Sequence, residues 1–309
     1  MNLDAVRAFV AVAEEGQFQH AGSVLGLSQQ AVSKRVAALE ASLGVTLFRR
    51  VAAGASLTAD GRTFLPHGRA LLLAAKQARE SVQRETRPLR VDLLNDRIAS
   101  STLLEEFHRV HPGVALETVA LGSGAASVRA LLDGEIDAAF GYPRGLAADS
   151  GIARLPACLE VQEIAAGERH PLGTARSVGM SELAGVMIWV PGIVEGSEWG
   201  AYYEELAEAF SLTIDATGPS FGLEALLETV SDSRSLVTFV GDRTRLVWLS
   251  HQRLRRVPVV GPAPAYPWSL LWHPASKHEG LAALVAHVRR NPPRISDDVW
   301  LPSDPGWAA

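Results

Sequence analysis

Cysteine is nearly absent from this sequence, which has only Cys158 among its 309 residues. An intrachain disulfide framework and a cysteine-rich zinc site are therefore excluded, and we expect a buried, unreactive thiol rather than a redox sensor. Long apolar runs are also missing, since the longest falls far short of the roughly 20 residues that a bilayer requires. The first residues include the acids Asp4, Glu14 and Glu15, unlike a secretory leader. These absences predict a cytoplasmic chain without a membrane partner.

Patterns of catalytic and metal sites are scarce as well. The sequence has no Gly-x-Ser-x-Gly elbow and no cysteine–histidine arrangement of a nucleophile. His108 and His111 lie three residues apart, but no neighbouring cluster of carboxylates and histidines completes a metal site. We therefore expect a protein that is not an enzyme, with no catalytic residues, no metal and no cofactor.

Charge is distributed unevenly along the chain. The formal net charge is −5, yet residues 1–87 contain 11 basic and 7 acidic side chains, whereas the remainder contains 18 and 27. A basic N-terminal segment followed by an acidic remainder is typical of a chain with one domain that contacts phosphates.

The first 58 residues show the pattern of three short helices followed by a β-hairpin. Apolar residues recur with helical spacing over residues 3–16, about 19–25 and 28–43, and Gly16, Gly26 and Gly44 end the three predicted helices. Ser28 is placed to cap the third helix. An uncharged turn at Ala52–Ala55 separates the two hairpin strands. This order predicts a winged helix-turn-helix.

The third predicted helix presents polar side chains near its N-terminus. Gln29 and Ser33 lie one turn apart, as do Gln30 and Lys34. Glutamine can bond adenine, lysine can bond guanine, and serine adapts to either, so these residues suit base edges in a major groove. Arg35 is placed for a phosphate or a flanking base. A merely solvated polar face is the alternative, which the accompanying cap, turn spacing and wing disfavour.

Three segments carry a resemblance to a known family: Gly26–Glu40 (GLSQQAVSKRVAALE), Leu43–Arg50 (LGVTLFRR) and Leu57–Gly61 (LTADG). Together they closely resemble LysR-type transcriptional regulators, and Leu131–Phe140 and Glu168–Leu172 extend the resemblance more weakly. It implies base contacts by the polar residues of the third helix and contacts with the DNA backbone or minor groove by Arg49 or Arg50. The predicted DNA-binding set is Ser28, Gln29, Gln30, Ser33, Lys34, Arg35, Arg49, Arg50 and Thr58.

A long helix is predicted from Ala59 to Thr86, after a cap at Thr58. Its apolar stripe, from Phe64 to Val82, has no evident cover in its own chain. Pairing with the same helix of a second chain is the preferred interpretation, and a solvated linker is the alternative.

The remainder alternates short strands with helices, which predicts parallel α/β sheets in two subdomains, separated by Ala157–Met180. The resemblance implies a sensor domain folded like a periplasmic binding protein. We therefore expect a winged helix-turn-helix at 1–58, a linker and dimerisation helix at 59–87, an effector-binding domain at 88–293 and an irregular tail at 294–309. Within the sensor, subdomain I covers about 88–160 and 265–293, and subdomain II covers about 161–264.

Polar side chains at strand ends and helix starts define a candidate effector pocket. The set is Asn95, Asp96, Arg97, Ser100, Ser123, Ser127, Trp189, Ser197, Glu198, Ser220 and Phe221. Helix N-termini favour an anion, and carboxylate effectors are common in the family. Asp96 and Glu198 favour a hydroxylated or cationic ligand unless Arg97 offsets them, so the sequence leaves the ligand's charge open.

These observations predict a DNA-binding transcriptional regulator modulated by a small molecule of unknown identity. We expect a homodimer or, preferably, a tetramer built as a dimer of dimers, which binds an inverted-repeat promoter site on double-stranded DNA. Effector binding would change the angle between the subdomains and thereby the spacing of the DNA-binding heads. A cytoplasmic solute-binding protein or an enzyme with the same back-half fold is the alternative.

Overall fold

A computed structural model of the chain describes residues 2–51, 54–82, 87–142, 146, 150–194, 196–245, 253–304 and 307. The chain falls into two compact units, which we call the N-terminal and C-terminal units. The first contains Met1–Thr86 with Leu132–Glu135, and the second contains Arg87–Leu131 with Ile136–Ala309. Among the described residues, we find no helix with the length and apolar character needed to cross a membrane.

The N-terminal unit begins with three helices: α1 at Leu3–Glu15, α2 at Phe18–Leu25 and α3 at Gln29–Leu43. The predicted cap of α3 is confirmed, because the side-chain oxygen of Ser28 accepts a hydrogen bond from the Ala31 N–H at 3.2 Å. All three helices end at the predicted glycines. Local signals therefore define this half of the unit.

A β-hairpin and a long helix complete the unit: β1 at Phe48–Val51, β2 at Gly54–Leu57 and α4 at Ala59–Val82. The two strands are antiparallel, with Phe48 opposite Leu57. Thr58 caps α4 as predicted, since its side-chain oxygen accepts a hydrogen bond from the Gly61 N–H at 3.0 Å. Residues 52–53 of the predicted wing and 83–86 of the predicted long helix lie outside the described residues.

The core of this unit joins α1 to the hairpin and to α4. Phe9 is fully buried, and its ring centroid lies 5.3 Å from those of both Phe48 and Phe64. A Cβ atom built on Gly68 of α4 would lie 3.4 Å from a methyl group of Val6 and 3.5 Å from one of Val10, both in α1. The prediction that the apolar stripe of the long helix has no cover in its own chain is therefore wrong for the first half of α4, because that half packs on α1.

The C-terminal unit is built on one continuous sheet. Its strands are β3 Leu89–Asp92, β4 Leu116–Val119, β5 Ala138–Gly141, β6 Ala153–Gly167, β7 Val178–Gly179, β8 Met187–Trp189, β9 Thr213–Asp215, β10 Leu236–Gly241, β11 Leu254–Val260, β12 Ala263–Trp272 and β13 Val299–Trp300. Its helices are α5 Ala99–Val110, α6 Gly124–Leu132, α7 Glu198–Phe210, α8 Leu223–Asp232 and α9 Glu279–Arg290. The main path of the sheet runs β4-β3-β5-β12-β6-β10-β8-β9.

The predicted parallel strands occur as two separate sets. Strand β3 lies parallel to β4 and β5, and β8 lies parallel to β9 and β10. Strands β6 and β12 lie between the two sets and run antiparallel to each other and to their outer neighbours. The sheet is therefore mixed, with a parallel set on each side of a central antiparallel pair.

Strand β6 corrects the prediction that Ala157–Met180 merely separates two subdomains. Its first part pairs with β12, and its last residues lie between β10 and β11. Glu160 is buried in this strand, and an acidic residue interrupts the apolar pattern that predicts an interior strand. Its carboxylate accepts hydrogen bonds from Trp268 Nε1 at 2.8 Å and Thr244 Oγ1 at 2.9 Å. A charged residue can therefore occupy this interior position, because distant side chains satisfy it.

The C-terminal tail is more ordered than predicted. Strand β13 pairs with β12, and the indole of Trp307 is buried. Trp307 Nε1 donates a hydrogen bond to Ser269 Oγ at 2.9 Å, and Arg154 pairs with buried Asp304 at 3.0 Å. The expectation of a wholly irregular tail from residue 294 is therefore wrong.

Candidate nucleic-acid interface and ligand cavity

Helix α3 has a buried apolar face and an exposed polar face. Val32, Val36 and Leu39 are buried in the core of the N-terminal unit, where α3 packs against α1 and α2. On the exposed face lie Gln29, Gln30, Ser33 and Lys34, and Arg35 is half-buried beside them. The N-terminal half of α3 therefore presents hydrogen-bonding side chains outward from a rigid support.

A close approach at Gly22 holds α2 against the turn that leads into α3. A Cβ atom built on Gly22 would lie 2.7 Å from the carbonyl oxygen of Leu27. That separation is too short for any side chain unless the backbone shifts. Glycine at this position therefore helps to set the angle between the two helices of the helix-turn-helix.

Glu40 connects the C-terminal half of α3 to the hairpin. Its Oε1 accepts hydrogen bonds from the backbone N–H groups of Leu47 at 2.7 Å and Phe48 at 3.2 Å. Phe48 is the first residue of β1, and Leu47 immediately precedes it. Sequence analysis missed this positioning residue, although an acid near a helix end, ahead of a strand, is the available signal.

A cavity of about 320 Å³ lies in the C-terminal unit, beyond the carboxyl ends of β3 and β5 and at the starts of α6 and α7. Its polar lining includes Asp92, Ser123, Ser127, Ser197 and Glu198. Its apolar lining includes Leu94, Phe140, Val194, Trp199, Trp268 and Leu271. The volume is at the lower end of the range of about 300–1,000 Å³ for small-molecule sites.

Glu198 reaches from α7 to the opposite wall of this cavity. Its Oε2 accepts a hydrogen bond from the Tyr142 N–H at 3.1 Å, and a Cβ atom at Gly124 would collide with its carboxylate. Burial raises the pKa of Glu198 to about 7; the Tyr142 hydrogen bond lowers the pKa and the charge of Asp92 raises it. Near neutral pH this carboxyl group is therefore divided between its two protonation states.

Asp92 is the second carboxylate of the cavity. It is buried at the end of β3, where Oδ1 accepts a hydrogen bond from the Leu121 N–H at 2.9 Å and Oδ2 accepts one from Ser127 Oγ. These bonds fix its position beside the start of α6. Asp92 thus combines a structural role with a place on the cavity wall.

Aromatic rings form the wall beside Glu198. Trp199 stacks on Tyr266 with ring centroids 4.1 Å apart and an interplanar angle of 18°. The ring centroids of Trp268 and Tyr266 lie 4.7 Å apart, and Trp268 Nε1 donates a hydrogen bond to Glu160. Both indoles that line the cavity are therefore held by neighbours in the interior.

Two family models match the chain. Residues 3–62 match the model described as bacterial regulatory helix-turn-helix protein, lysR family, and residues 96–292 match the LysR substrate binding domain. The chain belongs to the LysR family.

Curated LysR-type relatives match over part of their length. A probable hydrogen peroxide-inducible genes activator of Mycobacterium avium is 34% identical over 186 residues, which cover 58% of each chain. The regulator CfxR of Cupriavidus necator is 33% identical over 190 residues, covering 59% of this chain and 58% of the relative. The matches thus span a little over half the length of these relatives.

Solved LysR-family structures share the fold over most of the chain. Full-length CbnR in complex with its target DNA is 22% identical, has a TM-score of 0.55, and the match covers 94% of this chain and 99% of that one. Full-length OxyR from Pseudomonas aeruginosa is 21% identical, with a TM-score of 0.63 and coverages of 94% and 98%. The fold class predicted from the sequence is therefore confirmed.

In this LysR-family chain, two residues of the predicted DNA-binding set form hydrogen bonds that cap helices. Ser28 caps α3, and Thr58 caps α4 and also donates a hydrogen bond to the Thr46 carbonyl at 2.7 Å. Arg49 is exposed on β1. Arg50 lies on the same strand, but its side chain is outside the described part of the structure.

The predicted effector residues divide into two groups. Ser123, Ser127, Ser197 and Glu198 line the cavity, whereas Asn95, Asp96, Arg97, Ser100, Trp189, Ser220 and Phe221 do not. Arg97 pairs with Glu224, Trp189 Nε1 donates to the Thr217 carbonyl at 3.1 Å, and the Phe221 side chain is exposed.

The lining residues that the sequence did not indicate include Asp92, Phe140 and Trp268. Asp92 ends a buried strand, which is the signal that could have identified it. The aromatic residues carry no comparable local signal.

Proposed function

We propose that this LysR-family protein is a sequence-specific DNA-binding transcriptional regulator whose activity responds to a small molecule in the cavity of its C-terminal unit. The observation that carries the proposal is the exposed polar face of α3, which projects from a capped helix above a buried apolar face. Binding to chromosomal DNA requires the protein to act in the cytoplasm.

The chemistry of α3 supports sequence recognition in a major groove. Gln29 and Gln30 can each bond an adenine edge through two hydrogen bonds, Lys34 can bond guanine, and Ser33 can donate or accept. Arg35 and Arg49 supply positive charge for phosphates, and the excess of basic residues before residue 88 attracts DNA.

The double variant Gln29→Ala with Ser33→Ala tests this proposal. We would select a preferred site from random-sequence DNA with the wild-type chain, then measure its affinity and that of unrelated DNA by fluorescence anisotropy. The free energy of binding to the preferred site should become less favourable by at most a few kcal/mol, because each good base contact contributes about 1–3 kcal/mol. The salt dependence of DNA binding should stay unchanged, because neither substitution removes a positively charged side chain.

Ser42→Ala is the matched control, since Ser42 is an exposed residue at the other end of the same helix. It should leave both affinities unaltered. Unchanged specific binding by the double variant would contradict the assignment of α3 as the recognition helix.

Effector binding is supported by the position of the cavity. Small-molecule sites in α/β proteins lie beyond the carboxyl ends of strands and at helix N-termini, where the starts of α6 and α7 line this cavity. Ser123, Ser127, Ser197 and Glu198 are the proposed polar contacts from the sequence set, and Asp92 joins them.

Homo-oligomerisation through α4 is the third part of the proposal. Leu71 and Ala75 remain half-buried on the second half of α4, and the predicted stripe continues beyond them. We propose that this half pairs with its copy in a dimer, and that dimers associate into tetramers on an inverted-repeat site. Sedimentation equilibrium showing a monomer at micromolar concentration would contradict this arrangement.

The name of the Mycobacterium avium relative refers to hydrogen peroxide, but we do not expect this chain to respond to peroxide. Oxidation of a cysteine by peroxide requires an accessible thiolate. Cys158 is buried, and burial raises its pKa to about 12. The single thiol of this chain is therefore suited to packing, not to sensing.

A further inference from the structure

We propose that the cavity takes a small organic cation, with its ammonium group between Asp92 and Glu198 and its apolar part against Trp199 and Trp268. This inference rests on the proposed effector function and names the chemical class of the effector. The lining of the cavity thereby indicates the ligand charge that the sequence leaves open.

The charges on the cavity wall favour a cation. Asp92 and Glu198 both line the cavity, and none of the described lining residues is lysine, arginine or histidine. The cation that sequence analysis assigned to this site, Arg97, pairs with Glu224 instead. Hydrogen bonds from neutral donors leave the negative charge of a buried carboxylate uncompensated, so a ligand ammonium would supply the missing countercharge.

The carboxylate oxygens retain capacity to accept hydrogen bonds. Glu198 receives the Tyr142 N–H on Oε2, and Asp92 receives one protein donor on each oxygen. An ionised carboxylate offers about four lone-pair sites, so both groups can accept further bonds. An ammonium group carries three donors and no acceptor, which matches a wall rich in acceptors.

An anionic ligand meets an obstacle at the start of α6. A helix N-terminus is the usual place for an anion, but the Glu198 carboxylate already lies against Gly124, the first residue of that helix. A ligand carboxylate there would have to displace Glu198 and lie beside Asp92. The protein's own carboxylate thus takes the position that an anionic effector would need.

The apolar wall matches the rest of such a ligand. Trp199, Trp268 and Phe140 line the cavity, and aromatic rings attract cations as well as apolar groups. A volume of about 320 Å³ limits the ligand to a small molecule. An amine with a single aromatic or branched aliphatic group satisfies these constraints.

Binding of an amine should also be coupled to protons. Three groups face Glu198: Asp92 at the end of β3, the Tyr142 N–H that follows β5, and the Tyr266 side chain on β12. Burial raises the pKa of Glu198 to about 7. An ammonium ligand stabilises ionised Glu198, so its binding near pH 7 should release roughly half a proton. Its affinity should rise by up to about tenfold from pH 6 to pH 8. A carboxylate ligand should instead cause proton uptake.

Isothermal titration calorimetry on the full chain tests this assignment with three probes of similar shape: phenethylamine, phenylpropionate and phenylethanol. The amine should bind most tightly, and its heat should depend on buffer ionisation with the sign of proton release. Glu198→Gln should weaken amine binding by about tenfold or more, as expected for loss of a charge-assisted contact, and should abolish proton release. Binding of the neutral alcohol should change by less than about threefold.

Glu204→Gln is the matched control, because Glu204 is exposed on the same helix. It should bind all three probes like the wild-type chain. The proposal is overturned if phenylpropionate binds as tightly as the amine, if Glu198→Gln leaves amine affinity unchanged, or if the amine gives no binding at millimolar concentration. Specific DNA binding, measured with the α3 double variant, tests the regulator function separately, so the ligand class can fail while that function stands.

Discussion

Replacing Glu198 with glutamine should change how the stability of the C-terminal unit depends on pH. Glutamine keeps the shape of the side chain and an acceptor for the Tyr142 N–H, while it removes the ionisable group. In the folded chain, burial raises the pKa of Glu198 from 4.5 to about 7. In the unfolded chain this group returns to its ordinary value, so folding and protonation are linked.

The sign of the linkage follows from the raised pKa. The folded chain binds the proton more tightly, so the stabilisation from protonated Glu198 is complete below about pH 4.5 and is lost as the pH rises through about 7. The full effect is about 3 kcal/mol, at 1.36 kcal/mol per pKa unit. About 1 kcal/mol of it falls between pH 6 and pH 8.

Urea unfolding followed by tryptophan fluorescence measures this effect in the full chain. Every tryptophan lies at or beyond residue 189, so the signal reports on the C-terminal unit. The wild-type chain and Glu204→Gln should lose about 1 kcal/mol more between pH 6 and pH 8 than Glu198→Gln does. Equal pH dependence in all three proteins would refute the buried, uncompensated carboxyl group that we infer from the structure.

Three further substitutions test other contacts. Glu40→Ala should destabilise the N-terminal unit by about 1–3 kcal/mol, since the backbone N–H groups of Leu47 and Phe48 lose their acceptor. The loss of helical circular dichroism on unfolding measures this, and Glu40→Gln should retain most of the stability. Gly124→Ala should expel the Glu198 carboxylate and reduce the pH dependence of urea unfolding; an unchanged profile would contradict the close approach. Trp307→Phe should lower the stability of the C-terminal unit by about 1 kcal/mol, because the hydrogen bond to Ser269 is lost; an unaltered urea midpoint would argue against an ordered tail.

Features encoded by neighbouring residues were predictable from the sequence. The cap at Ser28, the glycines that end α1 to α3 and the cap at Thr58 all act within one helical turn of their own position. The two parallel strand sets likewise follow from the local alternation of apolar runs and amphipathic helices. Short-range chemistry therefore predicted the winged helix-turn-helix and the α/β class.

Strands β6 and β12 show why the central part of the sheet was harder to predict. Glu160 appears unsuitable for an interior strand until Thr244 and Trp268, 84 and 108 residues further on, supply its donors. The pairing of β6 with β12 is equally remote in sequence. Such contacts leave no periodic signal in either segment.

The cavity, too, combines residues that local sequence signals indicate with residues whose place depends on distant contacts. Strand ends and helix starts pointed to Ser123, Ser127, Ser197 and Glu198, because topology brings such positions together. The rule failed for Arg97, whose partner Glu224 lies 127 residues away. A side chain's neighbours across the fold decide whether it faces a cavity or an ion-pair partner.

The two hydrogen bonds of Glu40 have a consequence for how DNA preference can change in this chain. One carboxylate oxygen accepts hydrogen bonds from the N–H groups of both Leu47 and Phe48, so Glu40 links the end of α3 directly to the first residue of the wing strand. On the proposed DNA contacts, a substitution that rotates α3 in the groove should therefore also move Arg49 on that strand away from the phosphates. If α3 contacts bases and Arg49 contacts phosphates as proposed, substitutions in α3 and in the wing should have non-additive effects on operator affinity.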